Sequence, residues 1–161
     1  MAMSQATLAT QLLNVVPATS ASVAAMNLAQ AYGNYVKGAT CNGVPSVPSF
    51  IDSACVPVMA SAMTFSDNDS AGGGAAKFSA GHAAFWGAAA GGLSAFIPGA
   101  TAIVPPTFAG LASALSSTFP LNVGPPAATL ATAMSRLAAN IHTATLSTPV
   151  AFFGIPSFPI L

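Results

Sequence analysis

Thirteen prolines and fourteen glycines limit how far any helix in this chain can run, because proline removes a helical N–H and its ring collides with the preceding turn. They divide the sequence into six short apolar pieces with helical spacing. Leu8, Leu12, Leu13 and Val16 recur at i, i+4, i+5 and i+8, which predicts a helix over 4–16 that stops at Pro17. Thr19 or Ser20 can cap the next helix, which carries Val23, Met26 and Leu28 toward Tyr32 and Tyr35 and frays at Gly38. A Pro/Gly-rich link, CNGVPSVPS (41–49), precedes an apolar run over 50–65 with a kink expected at Pro57.

The segment SDNDSAGGGAA (66–76) is the most polar of the chain and reads as an exposed loop. Helices follow over 79–95, 107–118 and 125–145. The last two open just after Pro105-Pro106 and at Pro125-Pro126, where the fixed proline φ suits a first helical turn. The ending VAFFGIPSFPIL has no charge and is broken by proline, so it is expected to be extended. The expectation is therefore a mainly α fold: a compact bundle of about five or six short helices over 1–149, with Pro/Gly-rich links and an extended apolar C-terminal tail over 150–161.

Charge bears on what such a bundle can do. Lys and Arg number 3 and Asp and Glu number 3, or 4% of residues with no net charge, against about 25% in ordinary soluble domains. A chain that lives alone in water usually keeps itself dispersed with mixed surface charge. Lys37, Lys77 and Arg136 stand far apart, so specific nucleic-acid binding is not expected. No positive residue precedes Lys37, so a secretory signal is not expected either, and synthesis in a cytoplasm is the default.

From Phe78 to Ser135 there is no Asp, Glu, Lys or Arg. Residues 83–104 are long enough to cross about 30 Å of hydrocarbon, and a membrane-active or membrane-spanning protein is the alternative reading. Much of that window is Ala and Gly, however, and Pro98-Gly99 should break the helix. Gly87-x-x-x-Gly91 allows close helix approach in membranes and in soluble bundles alike. Charge depletion, small residues and an aromatic tail fit together better as surfaces made to be covered by other protein.

Chemistry finds little material. Three Asp and no Glu leave almost nothing for paired-carboxylate catalysis, and no G-x-S-x-G elbow is present. Asp67, Asp69 and Ser70 could hold a hard cation, but an EF-hand count from Asp67 places Phe78 where the closing Glu belongs. AGGGAAK (71–77) is followed by Phe78 rather than the Ser or Thr of a phosphate-binding loop. His82 and Trp86 share a helix face, which reads first as a packing position with the imidazole hydrogen-bonded. His82 and His142 together lack the further ligands zinc requires. Cys41 and Cys55 could close a short loop worth about 3 kcal/mol as a disulfide, yet in so apolar a chain they read rather as buried free thiols. No enzyme activity, metal or cofactor is expected.

The stretches VVPATSASVAAMNLAQAYGNY (15–35), AAFWGAAAGG (83–92), IPGATAIVPPTFAGLASAL (97–115), LATAMSRLAANIH (130–142) and PSFPIL (156–161) resemble a group of small Ala/Pro-rich virion structural proteins of contractile-tailed bacteriophages. The resemblance implies a structural component of the particle, in the tail or baseplate, partnered by other virion proteins or by copies of itself, and it carries no catalytic residues. The expected contacts are Phe152, Phe153, Ile155, Phe158, Ile160 and Leu161 in the tail, with Phe85, Trp86 and Phe96 as further anchors.

Overall fold

A computed structural model describes residues 3–15, 18–66, 68–103, 110–113, 126–152 and 155–161. The fold is mainly helical, and three of its longer helices begin at a serine whose side chain caps them. Helix α1 (Gln5–Leu13) starts at Ser4, whose side chain accepts the Thr7 N–H, and buries Leu8 and Leu12. Helix α2 (Ala21–Val36) starts at Ser20, which accepts the Val23 N–H, and turns Ala25, Ala29, Tyr32 and Val36 inward. Each cap satisfies one of the donors a helix start leaves orphaned.

The link after α2 is a small hairpin of β1 (Thr40–Cys41) and β2 (Val44–Pro45). Asn42 and Gly43 form its two-residue turn with φ of 49° and 77°. Two successive left-handed residues give the turn whose twist matches a hairpin, and Asn-Gly is the preferred pair for it.

Helices α3 (Pro48–Phe50) and α4 (Val56–Ala62) flank a π-helical turn over Ile51–Cys55. The Val56 N–H reaches back to the Ile51 carbonyl, so the irregularity lies just ahead of Pro57, where a kink was expected. Gly33 lets α2 lie against this turn: a Cβ there would collide with the Val56 side chain.

Helix α5 (Ala71–Gly91) begins at Ser70, which accepts the Gly73 N–H. The expected loop is thus shorter than 66–76, because 71–76 is helix; the cap and the burial of Ala75 and Phe78 outweigh the backbone entropy of three glycines. A short helix α6 (Leu93–Phe96) follows Gly92, where any Cβ would overlap the Phe50 ring. Gly99, at φ 82°, then turns the chain into strand β3 (Ala100–Ile103). Residues 83–104 therefore do not form one helix, and among the described residues no helix is long and apolar enough to cross a membrane. Of the helix expected over 107–118, residues 110–113 are helical and the rest lies outside the described residues. Helix α7 (Pro126–Leu146) packs along α1.

The C-terminal segment does more than extend. Strands β4 (Pro149–Phe152) and β5 (Ile155–Pro159) pair antiparallel with each other and with β3, in the order β3-β4-β5. Ile103 lies opposite Val150, and Val150 opposite Phe158. Beyond β5, Ile160 bridges to Cys41. Thr40 N–H donates to the Leu161 carbonyl at 2.8 Å, and Leu161 N–H donates to the Thr40 carbonyl at 2.9 Å. Ile160 and Leu161 thus close on the hairpin that follows α2.

Candidate functional site

The interior is organised by three helices that meet around Tyr32. Trp86 of α5 can only donate, and its Nε1–H reaches the Tyr32 hydroxyl at 2.9 Å. Tyr32 of α2 therefore gives its own proton to Thr145 of α7, 2.8 Å away. The Thr145 hydroxyl in turn donates to the Ile141 carbonyl at 2.8 Å. Tyr32, Trp86 and Thr145 are each at most 1% exposed, so the relay runs through a dry core where an unmade hydrogen bond is expensive. Tyr35 and His142 form a second α2–α7 pair through the hydroxyl and Nδ1.

Aromatic edges fill the space around the relay. Tyr32 meets His82 and Phe85 edge-on at 4.4 and 4.9 Å between ring centres, and Trp86 meets Phe96 at 5.7 Å. The Nδ1 of His82 donates to the Phe78 carbonyl at 2.9 Å, which fixes the neutral ring as the Nδ1–H tautomer. This is the hydrogen-bonded packing position the sequence indicated.

Burial sets the protonation of these groups. It pushes the His82 imidazole down to about 4, the Cys55 thiol up to about 12 and the Tyr32 and Tyr35 hydroxyls well above their usual range. At neutral pH these four side chains are uncharged. Cys41 and Cys55 are both buried and are not joined by a disulfide. His82 and His142 face different tyrosines, and among the described residues no three His, Cys, Asp or Glu side chains gather as a metal site. Asp69 is occupied structurally: one oxygen pairs with Lys77 at 2.6 Å, and the other accepts the Ser66 N–H at 2.9 Å. Asp67 lies outside the described residues.

The expected contact residues divide. Phe85, Trp86 and Phe96 are 0% exposed and pack within the chain's own core, as does Ile160. Phe152, Ile155 and Phe158 belong to the β3-β4-β5 sheet, and Phe153 lies outside the described residues. Leu161 is exposed, at 61%.

What lies open instead is a face of α2 and α4. Val23, Met26 and Val58 are each at least 40% exposed, and Met26 borders a shallow hollow of about 390 Å³ whose other walls include Pro57 and Met63 with Ser22, Ser61 and Thr64. Met26 follows Val23 by three residues on the outer side of α2, so the apolar spacing was visible in the sequence; which side it faced was not. Charge is scarce around it, and the nearest ion pair in sequence spends both partners: Lys37 holds Asp52 at 2.7 Å. Together with Lys77 and Asp69, that ties up four of the six charged side chains. Comparison of the chain with protein-family models, with curated proteins and with solved structures gives no match.

Proposed function

We propose that the chain is a non-enzymatic structural subunit of a bacteriophage particle, in the tail or baseplate, which acts by burying weakly charged faces against neighbouring subunits. The neighbours are other structural proteins of the particle or further copies of the chain. The observation that carries this reading is the exterior: four of six charges are neutralised in pairs while Val23, Met26 and Val58 stand in the open. Such a surface is poorly suited to an isolated life in water and well suited to a permanent interface. The interior is compatible with the same reading, because burial holds Tyr32, Cys55 and His82 uncharged at pH 7.

Contact is assigned to the α2–α4 face and the exposed terminal residue, and the rest of the tail is assigned to closing the fold. The proposal is tested by exchanging Met26 and Val58 together for Asp and following incorporation into particles. Loss of incorporation with unchanged thermal stability is expected. Unchanged incorporation removes this face from the account. Carbonate-resistant association of the lone chain with membranes, with no incorporation, would favour the membrane-active reading of residues 83–104.

A further inference from the structure

The geometry points to a binding cavity for a compact, uncharged hydrocarbon group, the size of one or two aromatic rings, where α1, α2, α5 and α7 meet. The cavity holds about 250 Å³, and its walls include Leu12 from α1, Leu28 from α2, Phe78 from α5 and Met134 and Leu137 from α7, together with Phe65. Among the described residues that line it, none carries a hydrogen-bonding side chain. An engineered apolar cavity of roughly 150 Å³ takes up benzene, so this hollow, which is open to solvent on one side, has room for a ring and more. Water is a poor occupant, because it needs two or more polar partners.

The walls are braced. The segment carrying Phe65 is pinned by the Ser66 N–H on the Asp69 carboxylate, at 2.9 Å, and that carboxylate is clamped to Lys77 of α5 at 2.6 Å. The opposite side rests on the packing of α1 along α7. Thus an ion pair and a helix–helix contact brace two sides of the space. Gly74 sits in the wall with nothing within 4 Å of where its Cβ would be. A larger side chain there has a place to go.

This inference concerns a small apolar ligand and stands apart from the particle reading. Its test is titration of the full chain, labelled at the methionine methyls, with toluene and in parallel with phenol. The two have nearly the same shape, but the phenol hydroxyl would find no partner in the cavity. Toluene is expected to move the Met134 methyl resonance saturably and to raise the melting temperature, with phenol bound roughly tenfold more weakly or worse. Gly74→Leu should abolish the toluene response while keeping the helix, since leucine is the better helix former. Should that variant fail to fold, Leu28→Phe fills the cavity from the other wall. No saturable shift up to the solubility of toluene, an equal response to phenol, or a full response in the filled variant overturns the inference.

Discussion

The Tyr32 hydroxyl takes one hydrogen bond and gives another, so removing it strands partners on two helices. Tyr32→Phe should cost about 1–3 kcal/mol, the usual penalty for leaving buried polar groups unmade, measured by denaturant unfolding; a loss under 0.5 kcal/mol would mean that Trp86 and Thr145 find other partners easily. His82 makes stability depend on pH in a defined window. Its pKa falls from 6.5 to about 4 in the fold, so the unfolded chain takes the proton first. The stabilisation is complete above pH 6.5 and drains away as pH falls toward 4, by on the order of 3 kcal/mol at about 1.4 kcal/mol per unit. His82→Phe should flatten that stretch of the stability profile. The raised Cys55, Tyr32 and Tyr35 act at the other end: their contribution is complete below about pH 9 and lost as pH climbs past it. His82 and Trp86 were recognisable as a pair from their spacing of four, but nothing local announces Thr145 as the end of the relay. It lies 113 residues from Tyr32.

At the level of elements, two glycines in helices should respond oppositely to alanine. Gly87 of α5 faces open space, so Gly87→Ala should stabilise by up to about 1 kcal/mol through helix propensity alone. Gly33→Ala earns the same propensity but drives a methyl into Val56, and a net loss of about 1–3 kcal/mol is expected. Equal effects at the two sites would deny the close approach of α2 to the π turn. Deleting Ile160 and Leu161 removes a fully buried side chain and the backbone pairing with Thr40. A loss of about 2–4 kcal/mol should follow in denaturant melts, with no effect if the tail were merely draped outside. The helix starts were legible because Ser4 and Ser20 stand just before apolar periodicity, and Asn42-Gly43 spells a hairpin turn to anyone weighing it so. The three-stranded sheet was not legible. Its strands run four or five residues, two of them contain proline, and β3 finds β4 across nearly fifty positions, so local pattern could show extension but not pairing. The start of α5 was hidden for a different reason: three glycines read as loop, and only the Ser70 cap and tertiary burial make them helix.

For the whole molecule, Phe85, Trp86 and Phe96, three of the aromatic residues expected as contacts, lie in the chain's own core. A sequence this apolar contains more candidates for burial than one interior requires, and composition does not say which are left over. Among the described residues, Val23, Met26, Val58 and Leu161 are left exposed, and the first three lie on two helices that pack together. The account therefore turns on whether that outer face is covered in the functional particle. The most direct measurement is mass spectrometry of purified particles assembled with wild-type chain or with Met26 and Val58 both exchanged for Asp, the two chains having the same melting temperature in isolation. The account predicts wild-type chain at fixed stoichiometry in the particles and the variant reduced at least tenfold. Equal amounts of the two, or no chain in particles at all, would contradict it.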